Sequence, residues 1–131
     1  MKTRRVLDAY ALLSYLGGEG GRDRVKDLLA SDTAALLMNA INVGEVYYIV
    51  ARGRGLKDAE YFLEVILPSL PITVIDNVFE DVIAAARLKA GLAISLADCF
   101  AAATAMRERI PLVTGDRDFE KLGQAVEIEW I

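Results

Sequence analysis

The chain has 131 residues, 54% of them hydrophobic and 26% charged, with a formal net charge of −4 and no histidine. That length suits one domain over 1–131 with a real core and excludes a disordered chain, while the acidic balance argues against a protein that coats nucleic acid through bulk charge. Without histidine there is no Ser-His-Asp or Cys-His catalysis and no imidazole-held zinc, so any metal must be held by oxygen, which favours Mg²⁺ or Mn²⁺.

Residues 5–7 predict a short buried strand, followed by a helix over 9–16 that stops at Gly17-Gly18. The glycine-dense stretch 17–21 follows a helix rather than a strand and lacks a phosphate-loop lysine, so it reads as a flexible connection. Another helix is predicted over 22–29, with Arg22, Arg24 and Lys26 alternating with Asp23 and Asp27 on a mixed surface face. A short strand over 35–38 leads to a helix over 43–52 that meets Gly53 and Gly55, and a further helix over 57–67 stops before Pro68. The β-branched run 72–75 predicts a strand, with Asn77 as the cap of a helix ending at Gly91. An alanine-rich helix over 95–109, a strand over 111–114, a short turn of helix and an alternating strand over 126–131 complete the chain.

Short apolar strands alternating with helices predict an α/β fold, a mostly parallel sheet covered on both faces. No uncharged apolar run reaches the roughly 18 residues of a spanning helix, and the basic start runs into Asp8 without a small-residue cleavage site. A cytoplasmic protein with no membrane contact is therefore expected. The single cysteine, Cys99, excludes an internal disulfide and reads as a packed thiol.

Three apolar stretches each hold one carboxylate and no cation: Asp8 within 6–16, Glu45 within 34–51 and Asp98 within 92–106. Taking an ionised carboxylate out of water costs several kcal/mol unless something positive meets it. The simplest common remedy is that the acids meet around a divalent cation. Asp8 and Asp116 both follow a predicted strand's C-terminal end, where ligands collect in such sheets. Placing four acids on one cation would also cancel the formal net charge, so a nucleic-acid substrate is not excluded. Each acid also has a plainer role. Asp8 and Asp116 can cap the helical turns behind them, Ser95-Leu96-Ala97-Asp98 matches a capping box, and Asp118 suits a first-turn surface position. Glu45, inside a helix among Val43, Val46 and Tyr47, has only the alternative of a neutral core carboxyl. Capping and ligation are compatible, because a capping carboxylate keeps one oxygen free. Tyr47 and Tyr48 read as core or interface aromatics. Arg52, Arg54 and Lys57 cluster around two glycines, as a solvated loop or a grip on a phosphate backbone.

These residues resemble a known family. The run from Val6 through Asp8 to Leu13 is similar to the opening of PIN-domain ribonucleases, and Asn42-Val43-Gly44-Glu45-Val46 stands where that family has its helical glutamate. Ile94-Ser95-Leu96-Ala97-Asp98-Cys99 and Leu112-Val113-Thr114-Gly115-Asp116-Arg117-Asp118-Phe119 resemble its third and fourth acidic motifs. Order, spacing and length are similar to VapC-like toxins of prokaryotic toxin–antitoxin pairs. Ala9 departs from the Thr or Ser that many members carry, leaving the acidic quartet complete.

The resemblance implies a PIN-like three-layer sandwich, roughly five parallel strands between helices, and Mg²⁺- or Mn²⁺-dependent hydrolysis of RNA. It assigns catalysis and metal binding to Asp8, Glu45, Asp98 and Asp116, with Asp8 and Asp98 the most direct ligands. Thr114 would bind the scissile phosphate or a water on the metal, Asp118 would be an extra acid further out, and Arg52, Arg54 and Lys57 are candidate RNA contacts. A cognate antitoxin that blocks the acidic groove and a homodimer are implied as partners, with 47–50 and the Tyr61-Phe62 pair as contact surfaces. Two rival readings remain. One is a PIN-like module that binds RNA or protein without cutting. The other is a phosphoacceptor receiver domain, disfavoured because only Asp8 follows the first strand and Thr114 leads to Gly115-Asp116 rather than to a lysine.

Overall fold

Short aliphatic strands alternate with helices throughout the computed structural model, which describes residues 2–18 and 20–131. Met1, and Glu19 in the glycine-dense connection, lie outside the described residues. The elements run β1 (Thr3–Leu7), α1 (Ala9–Gly17), α2 (Arg22–Ala30), β2 (Ala34–Asn39), α3 (Ala40–Arg54), α4 (Leu56–Tyr61), a π turn (Phe62–Ile66), α5 (Leu67–Ser69), β3 (Ile72–Ile75), α6 (Phe79–Gly91), α7 (Leu96–Glu108), β4 (Leu112–Thr114), a 3₁₀ segment (Arg117–Ala125) and β5 (Ile128–Trp130). All four strand pairings are parallel and the strand order is β3-β2-β1-β4-β5.

Alternation along each strand sends neighbouring side chains to opposite faces. Val6, Leu37 and Leu112 pack with Phe100, Ala101 and Ala102 of α7 and with Phe119 of the 3₁₀ segment. Leu7, Leu36 and Val113 pack the other way, with Ala11 of α1 and with Val25 and Leu28 of α2. Val6, Leu7, Leu112 and Val113 are fully buried, each contributing roughly 1.5–3 kcal/mol by leaving water. Alanines at 101, 102 and 105 let α7 lie close to its neighbours, and Cys99 is buried among them. No helix among the described residues is long and apolar enough to cross a membrane.

Several boundaries differ from the sequence reading, each for a local reason. Helix α3 starts at Ala40 because Asn39 caps it, its side chain accepting from Ile41 N at 2.9 Å. It then runs through Gly53 to Arg54. The helical path beyond α4 passes Pro68 instead of stopping before it. Proline lacks an N–H and crowds the carbonyl four residues back; just ahead of it the ladder widens to a π turn, with Leu67 N–H donating to Phe62 O. Asn77 is not the cap of α6. Val78 holds that position, with Asp81 accepting from its N–H at 2.9 Å, while Asn77 exchanges two hydrogen bonds with Asn39. The Tyr61-Phe62 pair also divides: Tyr61 is exposed, but Phe62 is fully buried with Leu12 and Val46 and presents no contact surface.

The strand order decides where a ligand can sit. Helices leave β1 and β4 on opposite sides of the sheet, so a crevice opens between their carboxyl ends. A receiver-type sheet follows the order 2-1-3-4-5, which this sheet does not share.

Candidate active site

Asp8 follows β1 and Asp116 follows β4, on either side of that crevice. Their positions are set by capping: Asp8 Oδ1 accepts from Ala11 N at 2.8 Å, and Asp116 Oδ1 accepts from Asp118 N at 2.9 Å. Glu45 comes from the second turn of α3 and Asp98 from the first turn of α7. All four line one cleft of about 190 Å³, together with Ala9, Tyr10, Leu13 and Ile49.

Asp8 shows how the plain and functional readings combine. Its Oδ1 caps α1, while Oδ2 accepts from Thr114 Oγ1 at 2.5 Å. Thr114 Oγ1 in turn accepts from Asp116 N at 3.0 Å, so one hydroxyl ties the two strand-end acids together. At Asp98 only half of the expected capping box forms: Ser95 Oγ accepts from Asp98 N at 3.1 Å. No hydrogen bond from the Ser95 amide to the Asp98 carboxylate completes it among the described residues, and that carboxylate faces the cleft.

Burial makes Asp8 and Asp98 hold protons toward neutrality. Asp8 is 1% exposed, and its pKa is pushed up to about 7 by desolvation, against the hydrogen bonds from Thr114 and Ala11 and with repulsion from Asp98 and Asp116 added. Desolvation, followed by repulsion from Asp116, carries Asp98 to about 6. Glu45 is also raised, first by burial and then by Asp116, against a weak bond from Asn42. Among the described residues no Lys or Arg forms an ion pair with any of the four. The nearby cations are engaged elsewhere, Arg117 with Glu120 at 3.5 Å and Lys121 with Asp118 at 3.6 Å.

Carboxylate oxygens of Asp98, Asp116 and Asp118 lie within 4.8 Å of one another. Two oxygens on one Mg²⁺ at ~2.1 Å are at most ~4.2 Å apart, so small side-chain rotations close the set. An all-oxygen donor set, the raised pKa values of Asp8 and Asp98 and the lack of a cation paired with Asp8, Glu45, Asp98 or Asp116 among the described residues together fit a hard divalent ion. Asp118 is exposed, as its first-turn surface position predicts, yet belongs to this group, whereas Asp8 and Glu45 line the same cleft outside it.

Arg52, Arg54 and Lys57 do not line the cleft. Arg52 lies over the ring of Tyr48, 5.0 Å from its centroid, and Arg54 lines a separate cavity with Val50, Asp58 and Tyr61. Seven residues separate Glu45 from Arg52, roughly 10 Å along the helix.

Two residues near the acids escaped the sequence reading. Asn42 is fully buried, and its Nδ2 donates to Ala97 O at 3.0 Å and reaches Glu45 Oε1 at 3.5 Å, tying α3 to the turn that carries Asp98. The available signal was its spacing of three from Glu45, which puts both on one helix face. Tyr10, two residues after Asp8, is 43% exposed on the cleft wall. Its ring lies so close to Gly115 that a Cβ there would collide with it and come within 3.0 Å of Ile131 O.

Residues 5–125 match the family profile described as PIN domain. No curated protein sequence matches the chain significantly. Among solved structures, the fold is similar to VapBC2 from Rickettsia felis, bound to a DNA fragment from their promoter, at TM-score 0.74 and 18% identity over 98% of this chain and 99% of that one. It is also similar to VapC20 from Mycobacterium tuberculosis, a sarcin-ricin loop cleaving toxin, at TM-score 0.75 and 18% identity over 91% and 95%. FitAcB from Neisseria gonorrhoeae follows at TM-score 0.67 and 24% identity over 95% of each chain. At these identities the likeness is one of fold.

Proposed function

The chain belongs to the PIN domain family, and from that premise we propose that it is a Mg²⁺- or Mn²⁺-dependent endoribonuclease, the toxin of a toxin–antitoxin pair. One observation carries the reading: four acids from separate elements share one cleft, and among the described residues no Lys or Arg is ion-paired with any of them. When bound there, a divalent cation polarises a phosphate oxygen and lowers the pKa of water.

Asp8, Asp98 and Asp116 are the residues that would hold it, with Glu45 and Asp118 completing the negative set. Thr114 keeps Asp8 turned toward the cleft and fixes Asp116 through its amide. With no imidazole in the chain, the proton of the attacking water passes to a carboxylate of the cluster. Arg52, Arg54 and Lys57, outside the cleft, would grip the RNA backbone further along its path. The VapBC assemblies among the similar folds support a cognate antitoxin as partner. A homodimer belongs to the same reading, with exposed Tyr48 and Tyr61 as contact candidates.

The test is cleavage of a mixed cellular RNA pool with Mg²⁺, with Mn²⁺ and with excess chelator, beside Asp98→Asn. Discrete cuts that require metal and vanish in the variant are expected. Equal inertness of both proteins, with RNA or partner binding retained, would leave a binding module that does not cut.

A further inference from the structure

We infer that Tyr10 is a stacking wall for one unpaired nucleobase of the RNA beside the scissile phosphate. The inference deepens the nuclease reading and rests on it. Three observations lead there. Tyr10 sits in the first turn of α1, two residues from Asp8, whose side chain caps that turn, so ring and acid are held in a fixed relation. The ring is nearly half exposed on the wall of the acidic cleft, while Gly115 supports it so closely that no side chain fits between them. A second cavity of about 320 Å³, lined by Tyr10, Leu13, Ser14 and Gly20 among the described residues, adjoins the cleft through Tyr10 and Leu13.

The chemistry of the two cavities differs. One is walled by carboxylates and suits a cation with a phosphate; the other has an aromatic ring, an aliphatic side chain and a hydroxyl, with no charge among those residues. Its described lining offers a phosphate no charge, while a base has an aromatic face to stack on and a small polar group to meet. A base can stack on a side chain only when unpaired and splayed from its own helix. Ring position, with Gly115 as its backing, would therefore help decide which RNAs reach the acids.

The experiment compares wild type, Tyr10→Phe and Tyr10→Leu in two arms, with folding checked by thermal unfolding. In the first, kinetics are measured in Mg²⁺ on a single-stranded RNA and on the same RNA annealed to its complement. Wild type should prefer the single strand. Tyr10→Leu should raise KM roughly 5- to 150-fold with kcat unchanged, and Tyr10→Phe should restore KM. In the second arm, single-stranded oligoribonucleotides carrying one 2-aminopurine at successive positions are bound in Ca²⁺. Stacking should quench fluorescence at one position in wild type and Tyr10→Phe, and not in Tyr10→Leu.

Metal-dependent cleavage with no positional quench, or with KM unmoved by Tyr10→Leu, overturns the stacking wall and leaves the nuclease reading standing. A quench that depends on the Tyr10 ring in a protein that never cuts supports the wall as a base-binding site and removes the nuclease. If Tyr10→Leu does not fold, the presence or absence of the wild-type quench decides.

Discussion

Replacing Asp8 with asparagine should abolish cleavage and, without metal, make the protein more stable. Asp8 is fully buried, and its carboxyl pKa rises from 3.8 to about 7. At pH 8 the ionised group therefore opposes folding by ~4 kcal/mol, taking 1.36 kcal/mol per pKa unit. Asp8→Asn removes the charge but keeps the shape, and an amide oxygen can still accept from Ala11 N. The new amide N–H must find Thr114 Oγ1, which already accepts from Asp116 N. That compromise returns ~1–2 kcal/mol of the gain. A net stabilisation of ~2 kcal/mol remains, or ~6–8 °C in Tm for a domain of this size. The pH dependence has a definite sign. Between the unfolded pKa of 3.8 and the folded value of about 7, the folded state keeps a proton that the unfolded state has released. Stability of the metal-free wild type therefore falls as pH rises through that window and levels off above it. Asp98 contributes a slope of the same sign to both proteins, so the difference between wild type and variant reports Asp8 together with its repulsion from Asp98. Thermal unfolding from pH 4 to 8 in chelator, then with Mn²⁺, measures all of this. Added Mn²⁺ should raise the wild type and close or reverse the gap, because a ligand bound only by the folded state stabilises it. A metal-free variant no more stable than wild type at pH 8, or a wild type whose stability does not fall between pH 4 and 7, would refute the reasoning.

Thr114→Val should leave Asp8 without its hydroxyl donor and Asp116 N without its acceptor. The pH at which half the protein takes up Mn²⁺ should move upward, read by calorimetry across pH 6–8; an unchanged midpoint would show that the hydroxyl does not tune Asp8. Gly115→Ala should push the Tyr10 ring or the Asp116 backbone out of place, lowering activity more than tenfold with the protein still folded; wild-type kinetics would show that the close approach relaxes freely. Asn42→Ala should remove the hydrogen bond that ties α3 to Ala97 O at the start of α7, costing ~0.5–1.5 kcal/mol and lowering kcat. Urea unfolding beside steady-state kinetics tests it, and an effect on neither would remove Asn42 from the positioning of Glu45.

Local pattern carried much of this protein's architecture. Short apolar runs at 5–7, 35–38, 72–75 and 111–114 and the alternating run 126–131 marked all five strands, and glycine stops marked the ends of α1 and α6, because a residue's own backbone preferences and the face it buries act over a few neighbours. Lone carboxylates in apolar runs drew attention to Asp8, Glu45 and Asp98 because uncompensated charge is expensive wherever the chain folds. Tertiary structure decided what depends on partners distant in sequence. Asn77 reads as an ordinary capping residue until β2 and the loop after β3 bring its amide to that of Asn39. Phe62 looked like a surface neighbour of Tyr61 until the π turn directed it into the core beside Leu12 and Val46. The strand order, the link from Thr114 to Asp8 across 106 residues, the approach of Asp118 to Asp98 and the backing of Tyr10 by Gly115 have no local signature. The link from Thr114 to Asp8 and the backing of Tyr10 by Gly115 arise from β1 and β4 lying side by side in the sheet, a pairing whose stability comes from burying both strands among helices that the intervening chain must first build.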